Sequence, residues 1–431
     1  MAIPLTVAKE QSNDHGDIGG PTEELGWSGL SQSRGTVTEE WSRALQGKNG
    51  MRIYREMVDD DPVIGAYLHG VKQQLVAAEW TIEPGVDDAK GAERAGFLNE
   101  CVDGLSHTWE SFIGEALTKL EFGWSFAETV YEQRDDGKLG WRKFAFRSQE
   151  TLDRWLFDEN GDITGLVQTG PDHKPLVIPM AKSMLFRTTT AKGNPEGRSV
   201  LRNSYVSWHY KKRLQEFQAI GAERDLAGIP IIGLPPEYFA ASATPTERAA
   251  KAMWEKIATE LRHDERASIV HPIIYDEDGR ELVRISLLSA SGARQQDIGG
   301  MLSYYDHAMA TSLAADVILL GQDGVGSLAL GSVKRDMWIA SMEAYLAEIE
   351  EVINKVEVPR LFELNGDTAP REELPFLRVG TIDAPDPAGI AEFLGKVAPT
   401  GWINPTEEDE VYLRTVVGLP QTEEGAAEDV E

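Results

Sequence analysis

Apolar positions along the chain follow two periods, and the switches between them lay out the architecture. The first clear helix follows Asp59-Asp60-Asp61-Pro62. Asp61 can cap it, Pro62 suits its first turn, and Ile64, Tyr67, Leu68, Val71 and Leu75 form one apolar face. It runs into AEWTIEP, a short strand stopped by Pro84. Helical patterns cover 88–105 and 109–121, and GWSFAETVYE then alternates as a strand does. From Leu139 to Arg187 the reading is β, with DENGD and GPDHKP as hairpin turns between RWLFD, ITGLVQT and LVIPM. Residues 36–198 are therefore predicted to form a mixed α+β domain.

A long helix is predicted from near Ser199 to about Leu226. Leu201, Tyr205 and Trp208 share a face, and the phase shifts across the basic run Lys211, Lys212 and Arg213. GIPIIGLPP ends it, because the paired prolines cannot continue a helix. Thr244-Pro245-Thr246-Glu247 is a capping box opening a further helix with Ala250, Trp254, Ile257 and Leu261 inward. RASIVHPIIYDEDGRELVRISLL reads as a hairpin turning at DEDG, and a second long helix occupies about 292–314. The Gly-rich loop ILLGQDGVGSLALG follows. Then comes an amphipathic helix with Trp338, Met342, Tyr345, Ile349, Val352 and Val356 on one face. Barely three heptads long, it reads as a packed core helix rather than a coiled coil. A Pro-broken connector and a helical unit around Ala388–Leu419 complete the pattern. Residues 1–35, polar and Gly-punctuated, read as a loose arm, and QTEEGAAEDVE (421–431) as an acidic, disordered tail.

Composition narrows the class. Of 431 residues, 41% are hydrophobic and 26% charged, the balance of a folded soluble protein. No stretch approaches the ~18 apolar residues of a membrane span, and the start MAIPLTVAKEQSNDHGD lacks the pattern of a secretory signal. The single Cys101 excludes an internal disulfide. Its neighbours Phe97, Leu98, Val102 and Leu105 place it in a core, as expected in a reducing cytoplasm. With 42 basic against 71 acidic residues the net charge is −29, which opposes tight binding of DNA over a broad surface. A conduit through which DNA slides gains from walls that repel phosphate; the same charge also serves solubility.

Catalytic and ligand-binding signatures fail when tested against their chemistry. Gly321-Gln322-Asp323-Gly324-Val325-Gly326-Ser327 lacks the lysine and the strand–turn–helix context of a phosphate loop, and reads as a mobile connector. DENGD has Ile163 where a calcium loop needs glycine, and the eight histidines form no zinc motif. Ser199 lies in Gly-Arg-Ser, not in a nucleophile elbow. No cofactor or metal is implied. Eleven tryptophans among many acids raise one enzymatic rival, a carbohydrate-active hydrolase with paired carboxylates. Trp208, Trp254 and Trp338 lie on apolar helix faces instead, and no acid pair stands out. For the basic run the alternatives are a solvated helix face, contact with acids of a neighbouring subunit, or contact with DNA.

The order of elements and three stretches resemble the portal protein family of tailed bacteriophages, nearest its Mu-like branch. The stretches are DDDPVIGAYLHGVKQQLVAAEWTIEP, EFGWSFAETVYE and GNPEGRSVLRNSYVSWHYKKRLQEFQAIGAERDLAGIPI, and the resemblance spans about 45–420. It implies a non-enzymatic α+β chain that forms a ring, twelve-fold in the family's usual form, at one capsid vertex. It further implies passage of double-stranded DNA without tight sequence-specific binding, no membrane contact, and assembly in the host cytoplasm before incorporation in the virion. The implied partners are the large terminase subunit, a head-completion or adaptor protein, and the major capsid and scaffold proteins. Another capsid-associated minor head protein is the alternative.

Carried over, residues 36–198 are the wing, 199–227 and 292–315 the two stem helices, and 228–291 the clip. Residues 316–331 are the tunnel loop, 332–357 a long helix between wing and crown, and 358–420 the remaining wing and crown. The expected tunnel residues are Gly321 to Ser327. The expected motor-docking residues are Asp276, Glu277, Asp278 and Arg280, and the stem carries Lys211, Lys212 and Arg213.

Overall fold

The computed structural model describes residues 26–227, 229–234, 236–260, 284–288, 298–313, 328–382, 387–397 and isolated positions between 406 and 414. In its first part the elements are β1 (Gln32–Ser33), β2 (Thr36–Val37), α1 (Gly47–Asp60), α2 (Pro62–Val76), β3 (Trp80–Glu83), α3 (Ala89–Asp103), α4 (Trp109–Ala116) and α5 (Lys119–Phe122). Strands β4 (Trp124–Gln133), β5 (Leu139–Arg147), β6 (Leu152–Phe157), β7 (Ile163–Thr169), β8 (Pro175–Pro179) and β9 (Ser183–Arg187) follow. The remainder comprises α6 (Tyr205–Ala227), β10 (Ile229–Gly233), α7 (Pro245–Glu260), β11 (Arg284–Leu288), α8 (Ile298–Ser312), α9 (Leu328–Val352), α10 (Val358–Leu364), β12 (Phe376–Val379) and α11 (Pro387–Val397). The chain divides into two units, 1–55 with 68–200 and 327–431, and 56–67 with 201–326.

In the first unit, antiparallel sheets of order β5-β4-β9 and β6-β7-β8 accompany the pairs β12-β3 and β1-β2. Strand β4 is buried on both faces over Trp124–Ala127, because it is the central strand of its sheet and is covered on each side. Phe112 of α4 packs its ring against Trp109, Phe144, Phe146 and Phe186, joining helix and sheet in one aromatic core. The turns at DENGD and GPDHKP close as the sequence predicted. The Asp158 amide donates to Asp162 O at 2.9 Å, and the Gly170 amide to Lys174 O at 2.8 Å.

Part of the expected loose arm is built into this unit. Leu30 and Val37 are buried in a core cluster with Trp124, Trp155, Leu166 and Ile178, and the Trp155 amide donates to Gly35 O at 2.8 Å. Gly35 has a φ of +85°, and a Cβ there would lie 2.2 Å from Trp155 O, so only glycine fits. Burial of Leu30 and the bond from the Trp155 amide to Gly35 hold the end of a segment that its polar composition alone marks as free.

Two boundaries also move. α9 starts at Leu328, so Leu328 to Gly331 of the expected tunnel loop form its first turn. At its other end a π-turn over Ile353–Glu357 leads into α10. The core reading of α9 holds, but its inner face is Met342, Leu346 and Ile349, continued by Ile353 of the π-turn, with Tyr345 and Val352 at the flanks.

In the second unit, Asp61 caps α2 as predicted, accepting from the amides of Val63 at 3.0 Å and Ile64 at 3.2 Å. The capping box of α7 is reciprocal: the Thr244 amide donates to Glu247 Oε2 at 2.6 Å and the Glu247 amide to Thr244 Oγ1 at 3.3 Å. IPIIG, read only as part of a helix stop, is strand β10, and it pairs antiparallel with β11 in the register Ile229↔Leu288. The turn and first arm of the hairpin expected before β11 lie outside the described residues. A 3-10 turn, Val200–Asn203, precedes α6.

Candidate functional site: a helix pair closed by buried ion pairs

The basic run is the predicted site that the structure describes, and its residues differ: Lys211 is buried, while Lys212 keeps 43% of its side chain exposed. Ser204 Oγ lies 2.6 Å from Ser312 Oγ, and Lys211 Nζ lies 2.6 Å from Asp306 Oδ1. As the chain advances from Ser204, just before α6, to Lys211 within it, the partners on α8 recede from 312 to 306, so the two helices are antiparallel. Lys211 also donates to Asp61 Oδ2 at 2.7 Å, and both side chains are 4% exposed. Burial alone lowers an ammonium pKa; here Asp306 and Asp61 outweigh it and raise the pKa of Lys211 above its ordinary value. Lys212 pairs with Glu56 and lies over the Trp208 ring, its ammonium 5.4 Å from the centroid. Lys211 is thus enclosed by acids of its own unit, while Lys212 pairs with Glu56 there and remains partly in solvent. Arg213 is exposed.

Gly321 to Ser327, and Asp276, Glu277, Asp278 and Arg280, lie outside the described residues.

Three polar centres in the first unit escape sequence reasoning. Glu357, fully buried at the π-turn, accepts from Thr129 Oγ1 at 3.0 Å, Tyr131 Oη at 2.6 Å, Trp141 Nε1 at 3.1 Å and Arg360 Nη1 at 2.8 Å. One carboxylate thereby ties β4, β5 and α10 together. Burial first, and then the adjoining Glu357 charge, push the Tyr131 phenol far above its usual range. Lys119, also fully buried, donates to Tyr345 O at 2.9 Å and Glu348 Oε2 at 2.7 Å; burial holds its pKa below the usual ammonium value despite Glu348. The third centre is Glu196, whose Oε1 accepts from Trp155 Nε1 at 3.2 Å and whose pKa burial pushes up to about 7.

None of these centres carries an evident reaction. Glu357 and Lys119 are occupied by structural partners. Among the described residues no cluster of histidine, cysteine and acids could hold a metal, and no helix is long and apolar enough to cross a membrane. His107 is a satisfied histidine, with Nε2 accepting from the Phe144 amide at 3.0 Å and Nδ1 lying 3.1 Å from Thr108 O. Ser199 Oγ donates to Glu121 O at 2.5 Å, and Cys101 is buried with its thiol pKa raised by burial. An open groove of about 700 Å³ beside Trp27, Arg34, Arg154 and Trp155 has only Asp158 as a lining acid.

Comparison with known proteins adds what the geometry alone does not. A sequence profile described as the portal protein of Mu bacteriophage matches residues 51–419. Three solved chains share the fold at 10–12% identity. One, from the neck of an empty gene transfer agent particle computed with C6 symmetry, has a TM-score of 0.54 and 12% identity, covering 90% of this chain and 97% of its own. A second, from the virion of a native gene transfer agent particle, has a TM-score of 0.53 and 10% identity, covering 89% and 95%. The third comes from the neck of the native particle computed with C12 symmetry, with a TM-score of 0.51 and 12% identity, covering 92% and 97%.

Proposed function

The chain belongs to the portal protein family of Mu bacteriophage, and on that footing we propose that it is one subunit of a closed ring, twelve-fold or close to it, at a capsid vertex. Double-stranded DNA is packaged and later ejected through the ring. The observation that carries this reading is the family match over residues 51–419. The shared fold of chains from particle necks computed with C6 and C12 symmetry supports it. The family is a structural one, and this chain acts by assembly and conduction, not by catalysis.

The layout expected above completes the reading. Residues 36–198 provide the wing, the helix over 332–357 leads toward the crown, and 358–420 provide the remaining wing and the crown. Residues 199–227 and 292–315, which include α6 and α8, provide the stem. The segment between those helices provides the clip, which receives the terminase motor through Asp276, Glu277, Asp278 and Arg280. Residues Gly321 to Ser327 face the tunnel, and an adaptor protein replaces the motor after packaging. The net charge of −29 suits a channel that holds DNA weakly, and the pairing of Lys211 and Lys212 with acids removes two cations that could grip phosphate.

Native mass spectrometry at micromolar concentration tests the assembly. A closed oligomer near twelve subunits is expected. A strictly monomeric species, even with capsid and scaffold proteins present, overturns the reading.

A further inference from the structure

Several strand edges in the first unit are closed. Between β3 and β12 the Gly380 amide donates to Glu79 O at 2.8 Å, and the register Val379↔Trp80 continues from that pair. Antiparallel bonding alternates, so Thr81 and Glu83 bond β12, while Trp80 and Ile82 turn their main-chain groups outward, as do Leu377 and Val379 on the other strand. Side chains hold the outward groups of β12. Asn354 bonds the Leu377 amide at 2.9 Å and its carbonyl at 2.8 Å, and Glu350 Oε2 accepts from the Val379 amide at 3.0 Å. Asn365 closes the edge of β5 in the same manner at Leu139. On β8, where Gly170 bonds Lys174, the outward positions are Pro175, Val177 and Pro179, so a single amide is on offer. The outer edge of β3 has neither device. Its Trp80 and Ile82 amides and carbonyls have no partner among the described residues, and both side chains are partly buried. An open strand edge is a template for another strand.

We infer that Ile3 to Val7 of the same chain add to this edge as an antiparallel strand beside β3. Ile3-Pro4-Leu5-Thr6-Val7-Ala8 alternates large apolar residues with period two. In an extended chain, alternate residues share both an edge and a face. Pro4 has no amide to give, so it turns away from β3, and Ile3, Leu5 and Val7 turn toward it. That phase also sets their side chains on the face of Trp80 and Ile82, where the Trp109 ring meets Trp80 edge-on at 5.6 Å. Hydrogen bonding and apolar burial thus select the same phase. The acidic stretch 421–431 has no such alternation and carries five acids. The residues between Val7 and Gly26, with glycines at 16, 19 and 20, can span about 60 Å. A compact unit of this size has a radius of gyration of roughly 20 Å. Tethering holds the segment at an effective concentration on the order of millimolar, which favours the chain's own arm. No ring is needed for this contact.

Hydrogen exchange of single amides in the intact chain tests the contact, with Thr81 and Glu83 as internal references because they bond β12. The Trp80 and Ile82 amides should exchange about tenfold or more faster in a chain lacking residues 1–25, with Thr81 and Glu83 unchanged. A synthetic peptide of residues 1–12 added to the truncated chain should slow them again. Two prolines test the phase. Leu5→Pro removes an amide that faces β3 and should abolish protection, whereas Thr6→Pro removes one that faces away and should keep it. Equal exchange of Trp80 and Ile82 with and without residues 1–25, or equal effects of the two prolines, overturns the inference. So does protection that appears only when subunits assemble or capsid protein is added, which would assign the edge to a neighbouring copy or to that partner.

Discussion

Lys211 Nζ and Asp61 Oδ2 sit 2.7 Å apart with both side chains almost completely buried. The same carboxylate group of Asp61 caps α2. One aspartate therefore starts a helix and neutralises a lysine far along the chain. Asp306, at 2.6 Å from the same lysine, completes a triad.

Breaking this triad on one side leaves buried acids without their cation. Lys211→Met is expected to destabilise the folded protein by about 3–5 kcal/mol, read from urea unfolding at neutral pH. Because the Lys211 pKa is raised, its contribution is fully present below the ordinary lysine pKa and is lost only as pH rises through the higher folded value. The loss should thus be the same at pH 6 and pH 8. A change below about 1 kcal/mol, the size seen for exposed pairs, would contradict the burial described here.

Glu196 gives a pH dependence of the same sign, but one that falls within reach of ordinary buffers. Its folded pKa, about 7, is raised from 4.5, so the native state prefers the neutral acid. Stability from that preference is full below the unfolded pKa and is lost as pH climbs through about 7. Glu196→Gln, which is never charged, should leave stability near wild type at pH 4 and raise it by roughly 1–3 kcal/mol at pH 8. Equal effects at both pH values would refute the assignment.

The ordered hairpin at residues 32–37 depends on Gly35. Gly35→Ala forces a Cβ against Trp155 O in a left-handed conformation, at an expected cost on the order of 1–3 kcal/mol. Hydrogen exchange should report faster opening at Ser31 to Thr38, with little change in α9. Unchanged protection at the Trp155 amide would show that the hairpin is not docked there.

Deleting residues 322–327 tests the tunnel assignment. Four glycines at 321, 324, 326 and 331 punctuate this stretch, and Asp323 is its single charge between 322 and 327. Rings should still assemble, while particles should retain less packaged DNA. Fully infectious particles with a normal genome load after the deletion would place the tunnel constriction elsewhere.

Local signals account for most of what the sequence disclosed. Asp61-Pro62 and Thr244 with Glu247 announce helix starts because a cap acts within three residues, and both are seen. The hairpin turns of β6, β7 and β8 were legible for the same reason. The family resemblance, read from stretches such as GNPEGRSVLRNSYVSW over about 45–420, agrees with the profile match over 51–419. Long-range pairings were hidden. β3 joins β12 in the register Glu83↔Phe376, and nothing near Trp80 signals it. α1 went unread, although Met51, Tyr54 and Met57 are buried at helical spacing. The π-turn is the sharpest case. One extra residue per turn shifts the phase after Ile353, so Glu357 enters the core where an uninterrupted α pattern continues with Val356. In the basic run, chain adjacency grouped three charges that the fold separates: Lys211 inward, Lys212 to Glu56, Arg213 outward.

The central claim is a ring with a channel, and electron microscopy of the purified full-length chain tests it most directly. Class averages of negatively stained particles should show radial symmetry near twelve-fold around a stain-filled central pore. A field of compact monomers without a pore, persisting when capsid and scaffold proteins are added, would contradict the account.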